Sequence, residues 1–418
     1  MFPFAALLPM MVKSFFSLVM DWTFWLIGLL VAMQYRRMAR TSQQIFDLPE
    51  ESIWPPVILA TIFGMAGGFL GSILLITVGI SVLELGISYL WITAVALMLI
   101  RQRFLCFAYA GGVLSLSKII FGFPAVSVAQ VMGLVAILHM VESLLILFSG
   151  HLAPLPVYVR TREGRIVGGF NLQKFWPLPL VALLAWIIPN QDVIRDAVAM
   201  PDWWPLIKTE LLRGKGEPVY MMMPVVAALG YGDIAITAKP EDKTRRAALE
   251  LAGYSLILLA LAVGASRQPV FAVIAALFGP LGHELLINLG QRREILGEPL
   301  FVQPERGVMV LHVLQKSLLR KAGICRGDIL LSVNGIPVDN EFEVRDALSA
   351  AGESVEIECL SGKSGQWRRA VIRRGPGEPL GFIPAPGRFE TVYLEMSGSA
   401  SILRRWWDRL INRTFKRE

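Results

Sequence analysis

Residues 307–338 read GVMVLHVLQKSLLRKAGICRGDILLSVNGIPV. Val308 to Val313 is a β-branched, apolar run of strand length. Ser317 follows, then Ala322-Gly323, Gly327-Asp328, a second run from Ile329 to Val333, and Asn334-Gly335. Gly323 and Gly327 supply backbone freedom where a short domain has to turn tightly. Asn-Gly between apolar runs is the strongest local signal for a hairpin turn. A single Gly-Asp or Asn-Gly would carry little weight, but the ordered set predicts a compact domain of strands and short helices.

Downstream, Asp339 and Asn340 are good helix N-caps, and Gly352 marks a stop, so a helix is predicted over Phe342 to Ala351. On it Val344 and Leu348 lie four apart and share a face. A last strand, Trp367 to Arg373, is followed by Pro379-Leu380-Gly381-Phe382-Ile383. Taken together these segments resemble a PDZ domain. The resemblance implies recognition by strand addition, in which a partner peptide pairs with an exposed edge beside a glycine turn. The glycine loop that usually precedes the first strand is missing, and Leu380 to Ile383 takes its place, as in the circularly rearranged bacterial form. The implied peptide-binding residues are therefore Leu380, Gly381, Phe382, Ile383, Val344 and Leu348. The PDZ-like domain is placed at 300–386.

The rest of the chain differs in kind. Of 418 residues, 54% are hydrophobic and 17% charged, and the mean hydropathy is +0.55. Soluble domains carry nearer a quarter charged residues. The apolar excess lies in runs about as long as a helix needs to cross roughly 30 Å of hydrocarbon. Nine spans are predicted, at about 15–34, 57–78, 80–99, 104–123, 127–149, 176–189, 219–238, 248–266 and 269–289, with the sixth short. Residues 1–295 thus read as a transmembrane domain of about 8–9 spans. No Lys or Arg precedes the first apolar run, since Lys13 is the first basic residue, so that span is expected to stay.

Basic residues cluster after alternate spans: Arg36, Arg37 and Arg40; Arg101 and Arg103; Arg160, Arg162, Arg165 and Lys174; Lys239, Lys243, Arg245 and Arg246; Arg292 and Arg293. All five clusters then share one face, which the positive-inside rule makes cytoplasmic. Residues 157–172, VYVRTREGRIVGGFNL, alternate and turn at Glu163-Gly164, so they read as a β-hairpin on that face. Residues 387–400 read as a polar linker. Residues 401–418 read as a basic amphipathic helix, with Trp406, Trp407, Leu410 and Ile411 on one stripe and Arg404, Arg405, Arg409 and Arg413 around it. Its membrane-surface residues are Arg404, Arg405, Trp406, Trp407, Arg409 and Arg413, and its ligand is anionic lipid. The net charge of +7 fits this reading without nucleic acid.

Proteolysis and transport compete with binding as readings; a serine protease would need a soluble β-barrel with His, Asp and Ser, and no such domain fits the chain. His283-Glu284 begins an H-E-x-x-H pattern, but Ile287 stands where the second histidine belongs, so no metal or cofactor is expected. Gly230-Tyr231-Gly232-Asp233 matches the G-x-G-D pattern of intramembrane aspartyl proteases. That chemistry needs two aspartates sharing a proton, and no Asp occurs from 50 to 190. A transporter would show inverted repeats, which are not evident. The arrangement as a whole resembles the MinJ-like polytopic PDZ proteins of Gram-positive division-site selection. The resemblance rests on Tyr35-Arg36-Arg37 ending the first span, the mid-chain hairpin, Gly230-Tyr231-Gly232-Asp233, Pro280-Leu281-Gly282-His283-Glu284 and the C-terminal PDZ. It implies a non-enzymatic scaffold at the septum or pole, joining a DivIVA-like protein to MinD-like partners.

Overall fold

The computed structural model describes residues 2–46, 52–187, 198–210, 218–314, 317–375, 381–387 and 393–395. The predicted helix at 401–418 and Leu380 lie outside the described residues.

The first part is mainly helical: α1 (Phe4–Met20), α2 (Trp22–Phe46), α3 (Trp54–Val78), α4 (Ile87–Ile100), α5 (Phe107–Phe121) and α6 (Val128–Leu145). Next come β1 (Leu155–Arg160), β2 (Ile166–Asn171), β3 (Lys174–Trp186), β4 (Val219–Tyr231) and β5 (Ile234–Ala235), then α7 (Pro240–Ala265) and α8 (Pro269–Leu296). Among the described residues, four helical segments are long and apolar enough to cross a membrane: α3, α6 with the turn that extends it to Gly150, α7 and α8. The predicted first span is divided. A 60° bend separates α1 from α2, and at the break Asp21 accepts from the Thr23 amide at 2.8 Å. The spans predicted at 80–99 and 104–123 become the shorter helices α4 and α5.

Two of the nine predicted spans are not helices. Residues 176–189 and 219–238 fall largely on β3 and β4, which pair antiparallel from Lys174↔Tyr231 to Trp186↔Val219. The reason is in the sequence. Pro177 and Pro179 within one run, and Pro224 in the other, each remove a helical hydrogen bond and clash with the preceding turn. β3 is buried along nearly its whole length and β4, though partly exposed, is apolar throughout, so the period-2 alternation of a half-exposed strand is absent.

The ribbon lies along α3. A Cβ on Gly64 would meet the Pro177 carbonyl oxygen at 2.2 Å, and one on Gly68 would meet that of Pro179 at 2.2 Å. Further along, Ser72 Oγ accepts from the Val181 amide (2.8 Å) and Ser81 Oγ from the Ala185 amide (3.1 Å). At the end of α3 the Ile207 amide donates to Val78 O and Trp204 Nε1 to Ile76 O. The ribbon therefore runs the length of this helix and returns.

The second part is β6 (Val308–Val313), α9 (Leu318–Lys321), β7 (Ile329–Val333), β8 (Ile336–Pro337), α10 (Glu341–Ser349), β9 (Ser354–Leu360), β10 (Trp367–Arg373) and β11 (Phe382–Pro384). The sheet order is β10-β9-β7-β6-β11, with β8 paired to β7. Its core joins Val308, Val310, Leu330, Val333, Val344, Leu348, Ile357 and Phe382. The strand after the glycine turn thus comes from the end of the domain and closes the sheet beside β6, as the circularly rearranged form requires.

The predicted hairpin is present as β1 and β2, paired Leu155↔Asn171 through Arg160↔Ile166. It is docked on the second domain. Tyr158, Phe170 and Leu172 pack with Phe301, Leu311, Ile383 and Ala385. Within the stretch 387–400, read as a linker, Leu394 and Glu395 form β12, which pairs parallel with β1.

Candidate functional site: an open strand edge beside a glycine turn

The turns that shape the second domain use the residues singled out by sequence. Gly323 and Gly327 have φ of +70° and +87°, and Asn334-Gly335 has φ of +50° and +74°, the two positive angles of a type I′ turn. Asp328 is buried and acts as a bracket, its carboxylate accepting from the Cys325 amide (2.8 Å) and the Gly362 amide (2.9 Å). Asn340 caps α10 by accepting from the Glu343 amide at 2.9 Å. Glu343 accepts in return from the Asp339 amide at 2.7 Å, a reciprocal cap.

β11 is the last strand of its sheet. Gly381, with φ of +59°, turns the chain into it, and a Cβ there would lie 2.4 Å from that of Ser317. The Gly381 carbonyl accepts from the Leu314 amide at 2.8 Å, and Phe382 stands opposite Val313. Antiparallel ladders alternate bonded and non-bonded pairs, so the amide and carbonyl of Phe382 turn to the outer edge. The next outward position is Pro384, which has no donor and whose carbonyl accepts from Tyr158 Oη at 2.9 Å. The open edge is therefore short. It is bounded at one end by the glycine turn and at the other by the docked hairpin.

The predicted side chains divide between two cores. Phe382 points into the domain core with Val344 and Leu348. Ile383 points the other way, against the hairpin. Val344 and Leu348 are 0% and 1% exposed and lie in the core with Phe382.

The domain is held to the helical region by more than chain continuity. The Arg326 guanidinium lies 4.3 Å from the Phe170 ring centroid and 3.8 Å from Glu241 of α7. His312 sits close by. Burial first, then Arg326 and Arg320, hold it down to about 4, so its ring is neutral near pH 7.

Asp233 of the G-x-G-D run lies between β4 and β5. It pairs with Lys243 Nζ at 3.1 Å, and Lys243 also pairs with Glu294 at 3.1 Å. Glu294 in turn accepts from the amides of Ile236 (2.8 Å) and Thr237 (2.9 Å). The carboxylates are bridged by a lysine, which is a latch between the β4–β5 turn and helices α7 and α8. One cluster was missed entirely. Cys106, His139 and His283 bring their side-chain donors within 4.8 Å of one another, although no metal-ligating group was expected. No local spacing announces it, because its members come from three separate helical segments.

Residues 309–360 match the family model of the PDZ domain. Over 373 residues the chain is 25% identical to the cell division topological determinant MinJ of Bacillus subtilis (strain 168), covering 85% of this chain and 88% of that protein. With its span-capable helices followed by this domain, the chain is similar to MinJ along most of its length and carries a PDZ domain in its C-terminal part.

Proposed function

We propose that the protein is a membrane-anchored scaffold of cell division, multi-pass, with its PDZ domain on the cytoplasmic face, and that it is not an enzyme. The observation that carries this reading is the short open edge at Phe382 beside the Gly381 turn, in a domain fixed to a bundle of span-capable helices. Such an edge suits the last residues of a partner chain, which pair with one peptide unit and end in the glycine turn. By its likeness to MinJ, the partners are a DivIVA-like polar protein and a MinD-like protein at the septum or pole. Residues 401–418 add contact with anionic lipid, through Arg404, Arg405, Trp406, Trp407, Arg409 and Arg413. The topology keeps its support after the correction to β3 and β4. The ribbon runs out along α3 and back, so the basic clusters on either side of it stay on one face. Against proteolysis stands Asp233, whose carboxylate pairs with Lys243.

The test is capture of partners from native membranes by the whole chain, followed by hydrogen exchange on the complex. Bound partner should slow exchange of the Phe382 amide at least tenfold. Partners that bind while Phe382 exchanges at the free rate would place recognition elsewhere. A C-terminal reporter fusion should read cytoplasmic, and one within 198–210 should read the opposite side.

A further inference from the structure

Cys106, His139 and His283 converge inside the helical region. Cys106 caps the N-terminus of α5, where its sulfur accepts from the Ala108 amide at 3.4 Å. His139 lies within α6 and is 3% exposed. His283 comes from α8, past the kink residue Pro280. The Cys106 Sγ stands 3.2 Å from His139 Nε2 and 3.8 Å from His283 Nε2.

Both rings are oriented from behind. His139 Nδ1 is 2.7 Å from the Val135 carbonyl, which can only accept, so that nitrogen carries the proton. His283 Nδ1 is 3.4 Å from Tyr109 Oη. The Tyr109 hydroxyl spends its own proton on Glu284 at 2.5 Å, so its oxygen accepts from His283. Glu284 is held by Arg103 at 2.7 Å. In both histidines Nε2 is left as a lone pair aimed at the sulfur. Such rear contacts fix tautomer and ring direction in metal sites.

A hydrogen bond alone does not satisfy this arrangement. One thiol has one proton, and two Nε2 acceptors face it. Whichever ring receives the proton, the other is left without a donor from the thiol. A cation satisfies all three at once. Tetrahedral bonds of about 2.3 Å to sulfur and 2.0–2.1 Å to nitrogen set the ligand atoms about 3.5 Å apart, which falls between the two observed separations.

We propose that Cys106, His139 and His283 bind a thiophilic d¹⁰ cation, Zn²⁺ or Cu⁺, leaving a fourth position open. One thiolate and two imidazoles suit both ions and disfavour Mg²⁺ or Ca²⁺, which take oxygen ligands. On binding, the Cys106 thiol gives up its proton to solvent and the sulfur bonds the metal. The site ties α5 and α6 to α8, the helix that leads into the PDZ domain.

The whole chain in lipid nanodiscs is stripped with a chelator and titrated separately with Zn²⁺, with Co²⁺ as its spectroscopic probe, and with Cu⁺ against competing indicator ligands. One cation per chain is expected, with a sulfur-to-cobalt charge-transfer band. The tighter of Zn²⁺ and Cu⁺ names the resident ion. Cys106→Ser should abolish the band. His139→Gln and His283→Gln should each weaken binding at least tenfold, while Cys325→Ser and Cys359→Ser leave it unchanged. Binding that survives Cys106→Ser would overturn the site, and so would less than a stoichiometric cation on the wild-type chain. A measurement on the wild type needs no variant to fold: bound metal should slow alkylation of Cys106 at least tenfold, and equal rates with and without metal would also overturn it.

Discussion

Among the described residues, β3 and β11 each have one edge that meets no neighbouring strand, and they treat it in opposite ways. The outward amides of β3 fall at 177, 179, 181, 183 and 185. Two are removed by Pro177 and Pro179, and two are taken by the Ser72 and Ser81 hydroxyls. Leu183 forms an isolated bridge with Ser81. The carbonyls of Pro177 and Pro179 rest against Gly64 and Gly68, where no side chain intervenes. In apolar surroundings every backbone group has to be answered internally, and β3 does this against a helix in place of a strand. β11 leaves the peptide unit of Phe382 facing outward, and blocks the next position with Pro384 and Tyr158. One edge is sealed along its length, and the other is kept open for a single residue pair. Sealing belongs to the membrane part and opening to the recognition part.

The sealed edge predicts the largest effect. Gly68→Val places a side chain where even a Cβ would sit 2.2 Å from the Pro179 oxygen. Backbone on both sides leaves no flexible atom to yield, so the cost exceeds the roughly 1–3 kcal/mol of ordinary overpacking. The variant should fail to give a monodisperse protein in detergent. If it purifies with unchanged thermal stability, α3 and β3 are not in the contact described.

Next in size is the latch that fixes the turn of the β4 side. Lys243→Met would leave Asp233 and Glu294 buried without their shared cation, and breaking a buried pair costs about 3–5 kcal/mol. Adding Asp233→Asn and Glu294→Gln should recover much of that loss, since a glutamine oxygen still accepts from the amides of Ile236 and Thr237. Denaturation of the purified chain in detergent measures both. A lysine variant as stable as the wild type would show that the latch holds nothing.

What the sequence disclosed follows from how far each signal reaches along the chain. The PDZ turns were legible because Gly327-Asp328 and Asn334-Gly335 need only their immediate neighbours. The long helices α3, α6, α7 and α8 were legible as uninterrupted apolar runs. The β3–β4 ribbon was not, because β3 is buried along its length and β4 is apolar throughout, so neither shows the alternation that marks a strand. Pro177 and Pro179 were the dissenting signal, and Gly64, Gly68 and Gly71 on α3 were its complement. The Cys106, His139 and His283 cluster depends on three helices packing together, so no window of sequence contains it. Likewise nothing in 157–172 says that Tyr158 will reach Pro384.

That last contact gives the smallest and most discriminating test of the comparison. Tyr158 is buried against Phe46, ring centroids 4.9 Å apart, and its hydroxyl closes one end of the open edge. Tyr158→Phe keeps the ring packing and removes the neutral hydrogen bond to the Pro384 carbonyl, worth about 0.5–1.5 kcal/mol. The loss of stability should be correspondingly slight. The effect on recognition should run the other way. With the Pro384 carbonyl released, a bound segment gains a second acceptor beyond Phe382, and its affinity should rise by about two- to fivefold, the equivalent of roughly 0.5–1 kcal/mol. Titration of the captured partner onto wild-type and variant chains in nanodiscs reads this directly. Unchanged affinity would mean that recognition ends at Phe382, with the hairpin merely a neighbour. Reduced affinity would mean that the hairpin holds β11 in shape, and that the edge is open only because β1 and β2 are docked behind it.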